Sequence, residues 1–282
     1  MNSCFYFLNK LSIYFTMNIF DLHNDIVTSG ITEQEIILYK REAQKSGTEF
    51  ISAIWTSKLS CLDYLKKCEF LTDNNFMTAI EDCGILSRDF QLICAAAPLY
   101  CSLTWNYKNE LAGGALSDGE LTECGKTAIE FLNNHNIALD LSHLNEKSFF
   151  QAIDVADNVL ASHSCLSAIH SHLRNLTDRQ VEKIVDKNGI VGIAFVEDFL
   201  GGDKDLKSVV CQINYFIGKF GCDNISIGTD FFGTQPIPGL DDYGKLRDMK
   251  DELLIAGLTS DQIEKIFNTN AKKFFKRRLE KC

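Results

Sequence analysis

His23 and Asp25 close the apolar run "FDLHND", Phe20 to Asp25. Residues two apart on a strand face the same side, so this imidazole and carboxylate could share one cation. Comparable polar groups end other apolar runs. Glu81 ends "MTAIE", His143 ends "IALDLSH", His163 lies in "VLASHS" and Asp230 ends "NISIGTD". Taken singly, each has a structural reading: a turn or helix-cap carboxylate, or a core imidazole bonded to backbone. Taken together, burying these six groups at one place is costly unless a cation neutralises the acids and uses the imidazole lone pairs. Mixed nitrogen and oxygen ligation suits zinc first, with manganese, iron or cobalt as alternatives.

Such a centre needs elements that bring these run ends together. Eight β-rich runs recur along the chain: "IFDLH", "EFISAIW", "MTAIE", "LYCSLTW", "IALDLSH", "VLASHS", "GIVGIAF" and "NISIGTD". Between them are amphipathic segments such as "CLDYLKKCEFLT", "LTECGKTAIEFLNNH", "LTDRQVEKIVDKN" and "VVCQINYFIGKF", with apolar residues at helical spacing. Strand then helix, repeated eight times, predicts an α/β fold of the (β/α)8 TIM-barrel type, in which all strand C-termini open onto one face. A doubly wound sheet would call for a glycine-rich phosphate loop after the first strand, and "IVTSGITEQE" has none. The other histidines carry less weight. His135 precedes a strand and reads as a surface residue at the opposite face. His170 and His172, in "SAIHSHLRN", stand in a helix-like context beyond the sixth strand, and Asp140, out of phase with His143, reads as a structural or supporting group.

With 38 acidic against 28 basic residues the chain has a net charge of −10, which argues against nucleic acid or anionic membrane as partners. The basic terminal run "KKFFKRR" reads as part of a surface helix. Eleven cysteines lie singly, without a C-x-x-C pair, the pattern of reduced thiols in a cytoplasmic protein. Residues 1–16 are apolar but lack a basic start and a small-residue cleavage site, and read as an extension or a barrel cap; residues 17–282 read as one barrel domain. Neither a cleavable leader of normal form nor an apolar tail is expected, hence no membrane anchor.

The combination "DLHND", "TAIED", "LDLSHL", "ASHS", "HLRN" and "IGTDFFG" resembles the membrane (renal-type) dipeptidases, the M19 metallopeptidases, from about Met17 to "NTNAKKFF". The resemblance implies a metal-dependent hydrolase of (β/α)8 form with two zinc ions per chain. His23 and Asp25 would bind one ion, His143 and His163 the other, and Glu81 would bridge them. It further implies that dipeptides are cleaved by a metal-bridging hydroxide, that Asp230 handles the proton and that Arg174 grips the substrate carboxylate. A homodimer follows from family analogy alone.

One position departs from the family. Animal members carry a histidine after Leu-Thr at the end of the fourth strand, where it helps hold the developing oxyanion; here the sequence is "SLTWNY", with Trp105 at that place and Asn106 next to it. Indole donates one hydrogen bond and carries no charge, so Trp105 and Asn106 are expected at the substrate, with Asn106 supplying part of the missing polarity. The same barrel and metals would also serve a lactonase or deaminase, or a metal-binding homologue with weakened catalysis.

Overall fold

The computed structural model describes residues 17–240 and 242–279; the expectation for residues 1–16 falls outside them. Eight parallel strands close into a barrel in sequence order: β1 Ile19–Asn24, β2 Thr48–Trp55, β3 Met77–Glu81, β4 Tyr100–Ser102, β5 Ala138–Asp140, β6 Val159–Ser164, β7 Ile190–Ile193 and β8 Ile225–Ile227. Six fall inside one of the apolar runs, while β1 and β2 each extend one residue beyond theirs, to Asn24 and from Thr48. The strands are buried almost throughout, which is why they read as continuous apolar stretches: one side packs inside the barrel and the other under helices.

The helices are α1 Glu33–Lys45, α2 Cys61–Asp73, α3 Glu123–Asn134, α4 Glu146–Val155, α5 Asp178–Asp186, the single turn α6 Glu197–Leu200, α7 Leu206–Phe220, α8 Asp248–Ile255, α9 Ser260–Glu264 and α10 Asn270–Leu279. Side chains of Thr32, Ser60, Thr122, Asn145, Thr177, Asp205 and Thr259 cap seven of their starts, satisfying first-turn N–H groups that have no partner within the helix. The crossover from β3 to β4 departs from the strand-helix repeat. It is made of short 3-10 turns, Cys83–Leu86 and Phe90–Ala96.

Two apolar layers result. The larger lies between barrel and helices; the smaller fills the barrel interior with Phe20, Leu22, Ile51, Ala53, Ala79, Tyr100, Ala138, Leu160 and Ile190. Ala271, Phe274 and Phe275 of α10 join that inner layer, so the basic terminal run, read as surface, puts two phenylalanines into the barrel floor. Phe275 stacks on Phe20 with centroids 6.0 Å apart. Nine described cysteines are all free. Among the described residues no helix is long and apolar enough to cross a membrane.

Two irregularities matter for the upper face. The register of β1 on β2 slips between Asp21 and Asn24, and that of β6 on β7 slips between Ala161 and Ser164. Phe20 and Leu22 belong to the inner layer, as does Leu160, so strict alternation would turn His23 and His163 toward the helices. The slips re-aim both imidazoles inward, where their rings lie 3.9 Å apart. Gly192 and Gly228 make room for the β6 irregularity: a Cβ there would fall 2.1 Å and 1.8 Å from the Ser162 carbonyl oxygen.

Candidate metal centre

The six polar residues that end the apolar runs meet at the C-terminal mouth of the barrel. His23 and His163 sit in β1 and β6, and Glu81 is the last residue of β3. Asp25, His143 and Asp230 stand just beyond their strands. Backbone turns aim the last two, with φ of +70° at His143 and +61° at Asp230, a region that residues other than glycine occupy at a cost and often at functional sites. Asp21 ties the ends of β1 and β8 together. It accepts from the Thr229 backbone at 2.8 Å, the Thr229 hydroxyl at 2.6 Å and the Tyr243 hydroxyl at 2.7 Å, and this brings Asp230 alongside His23.

Three overlapping triads could each hold a cation, their ligand atoms all within 4.8 Å of one another: His23, Asp25 and Glu81; Glu81, His143 and His163; and His23, His163 and Asp230. Glu81 belongs to the first two. Its Oε1 lies 2.6 Å from His143 Nε2 and 3.8 Å from His163 Nε2, and His23 Nε2 is 3.3 Å from Asp25 Oδ2.

The outer nitrogens of the three imidazoles are all engaged. Tyr100 donates to the Leu22 carbonyl at 2.7 Å, leaving its oxygen to accept from His23 Nδ1 at 2.8 Å. Ser162 donates to Asp140 Oδ2 at 2.5 Å and so accepts from His163 Nδ1 at 2.7 Å. Asn106 Oδ1 pairs with His143 Nδ1 at 2.9 Å. With every Nδ1 carrying its proton outward, all three Nε2 lone pairs face the same small space. His143 Nε2 and His163 Nε2 are only 2.8 Å apart, while His23 Nε2 and Asp25 Oδ1 are buried without a hydrogen-bond partner. Nitrogen and carboxylate donors of this kind suit a cation of the zinc type, and Glu81 is common to two of the triads.

Without a cation, the same crowding of acids and imidazoles shifts their proton affinities. Burial opposes the charged form of His23, yet the carboxylates of Asp25, Glu81 and Asp230 outweigh it and hold its pKa at about 10. Burial, aided by the Arg174 guanidinium, lowers His143 to about 4. Burial and the neighbouring His23 push His163 well below the ordinary range. Asp230 is raised well above the usual carboxylate range, first by burial and then by the Asp25 charge.

Arg174 is buried in the turns between β6 and α5. Its Nη2 donates to the His163 carbonyl at 3.3 Å, its Nε has no hydrogen-bond partner, and its guanidinium lies 5.3 Å from the Phe199 ring. This stretch is not the helix-like segment expected around His170 and His172; it is a set of turns tied by the Leu166–Leu176 bridge. His172 supports it by accepting from the Arg174 backbone N–H at 3.1 Å. His135 is exposed at the end of α3. Trp105 and Asn106 follow β4: the Trp105 ring lies 6.2 Å from that of His143, and Asn106 bonds the same imidazole. Sequence reasoning missed Tyr100, Ser162 and Asp21. Ser162 carried one signal, its place directly before His163.

A family model described as "Membrane dipeptidase (Peptidase family M19)" matches residues 87–280. An uncharacterized protein from the pqqA 5' region of Klebsiella pneumoniae is 30% identical over 198 residues, 65% of this chain and 73% of the relative. The dipeptidase tcpJ of Claviceps purpurea is 28% identical over 155 residues, covering 53% of this chain but only 36% of that longer protein. Among solved structures, a dipeptidase AC described as a metallopeptidase of family M19 superposes with a TM-score of 0.82 at 20% identity, over 93% of this chain and 99% of that one. A metallopeptidase from Rhodobacter sphaeroides, liganded with a phosphinate mimic of L-Ala-D-Ala, gives 0.76 at 19% identity with the same coverage. At these identities the structural likeness is one of fold.

Proposed function

The chain belongs to the membrane dipeptidase family, peptidase family M19, and is a hydrolase of the metallo-dipeptidase type; from this premise we propose that it cleaves the peptide bond of dipeptides at a two-zinc centre. The observation that carries the reading is the set of three imidazoles whose Nε2 atoms converge on carboxylates, with Glu81 common to two triads. His23 and Asp25 would hold one cation, His143 and His163 the other, and Glu81 both. Cations held by these residues would supply Lewis acidity, which acidifies a water and polarises a carbonyl.

The chain's own groups do the rest. Asp230 belongs to the third triad, with His23 and His163, and to neither triad that contains Glu81; its carboxylate would take the water's proton and pass it to the leaving amine. The Arg174 guanidinium, with Nε unpartnered, has donors to spare for the substrate's terminal carboxylate. That selects very short peptides, because a longer chain has no carboxylate at that distance from the scissile bond. Asn106 holds the His143 ring in position, and Trp105 walls the same side.

A panel of L,L- and L,D-dipeptides with added zinc tests this: turnover should disappear on chelation and return with zinc. No cleavage at micromolar enzyme would overturn it. Arg174→Ala should lower kcat/KM on dipeptides by about 10²-fold or more. An uncharged lactone that lost as much would show that Arg174 does not act through a substrate carboxylate.

A further inference from the structure

We propose that Trp55 and Trp105 form a subsite for the N-terminal side chain of the substrate and select dipeptides that begin with a large apolar or aromatic residue. This rests on the dipeptidase reading. The two indoles lie 4.8 Å apart, centroid to centroid, tilted by 39°. Trp55 ends β2 in register with Glu81 of β3, and Trp105 lies beside His143. Since Glu81 and His143 are 2.6 Å apart, the pair flanks one side of the centre.

The position relative to Arg174 gives direction. In a closed eight-stranded barrel β2 and β6 are four strands apart, hence on opposite sides. Trp55 ends β2, while Arg174 bonds the carbonyl of His163 in β6. A dipeptide whose carboxylate is held at Arg174 and whose amide lies over the centre therefore directs its N-terminal residue toward the indoles. Tryptophans used only for packing would be covered. These two are half-buried, and the aromatic surface continues to Tyr107, which is 59% exposed.

The shelf is also held in place. Trp55 Nε1 donates to Ser57 Oγ at 3.0 Å, and Ser57 donates to the Asp82 carboxylate. Asn109, in the loop that carries Trp105, donates to the same carboxylate at 2.8 Å and to the Leu103 carbonyl at 2.7 Å. Gly114 lets the chain pass under Trp105, because a Cβ there would fall 2.5 Å from the Trp105 carbonyl oxygen. A pre-set apolar surface spends little of a ligand's binding energy on ordering.

The test uses the zinc-reconstituted full chain and the series Gly-Ala, Ala-Ala, Leu-Ala and Phe-Ala. The kcat/KM value for Phe-Ala should exceed that for Gly-Ala by about tenfold or more. Trp105→Ala should shrink the ratio to within about threefold, whereas Trp105→Phe, which keeps an aromatic face, should preserve it. A flat series in the unaltered protein, or an unchanged ratio in Trp105→Ala, overturns the proposal. A second measurement separates it from the peptidase reading. The chain contains two tryptophans, both here, so β-phenylethylamine, which has neither peptide bond nor carboxylate, should shift tryptophan emission saturably while ethylamine does not. That shift without any dipeptide cleavage would keep the shelf and sink the peptidase; cleavage without preference would do the reverse; neither would sink both.

Discussion

An imidazole can offer either nitrogen to a cation, and the partner of the other nitrogen decides which. Ser162 is the most economical of these partners: one hydroxyl reaches Asp140, His163 Nδ1 and, at 3.4 Å, His23 Nδ1. Ser162→Ala would leave Asp140 and the His163 N–H without that partner, and zinc affinity should fall about 10–100-fold in competition with a chromophoric chelator. The same residues set a pH dependence. In the metal-free protein His143 sits at about 4, so as pH falls from 6.5 the unfolded chain takes up protons that the folded one refuses, and stability drops. His23 acts oppositely. Held at about 10, it contributes stability that is full below 6.5 and is lost as pH rises through its folded value. These two imidazoles should therefore contribute an acid decline below pH 6.5 and an alkaline decline above it to the melting temperature of the metal-free protein, and zinc bound in place of the His23 proton should flatten the alkaline one. An alkaline decline that persists with zinc bound would contradict this assignment.

Among the elements, the barrel strands do more than hold residues at their ends; two of them break register at His23 and His163. Gly228→Ala would drive a methyl into the Ser162 carbonyl and should cost about 1–3 kcal/mol in chemical denaturation while weakening zinc binding. Gly218→Ala, in α7 with open space around the new Cβ, should instead be neutral or stabilising. The eight runs and the four quoted helices were legible because hydrophobic periodicity is local, and the six polar groups because they fell at run ends. The β1 and β6 slips were not legible, since the residues that permit one of them, Gly192 and Gly228, are remote in sequence from Ser162. For the same reason His23 and Asp25 converge through a bulge and a turn, with Asp25 already past the strand, and not through simple alternation. The 3-10 crossover after β3 escaped notice because its length matched that of a helical one.

Across the whole molecule, the chemistry gathers at one mouth of the barrel while α10 closes the other with Phe274 and Phe275. The floor was misread because its phenylalanines are embedded in "KKFFKRR", where charge dominates the pattern. The donors at the mouth run from position 23 to position 230 and come from both ends of the barrel sequence. No two strands form the complete centre, so full affinity for a cation would exist only after β8 has closed on β1. Closing such distant segments is a late and slow event. The cations would therefore act as a latch on the finished ring, not as a seed for it: saturating zinc should slow unfolding by about the factor it adds to the equilibrium constant and leave the refolding rate almost unchanged in a stopped-flow chevron. Durability of the native state would then follow the supply of metal, even though the route by which the chain reaches that state does not.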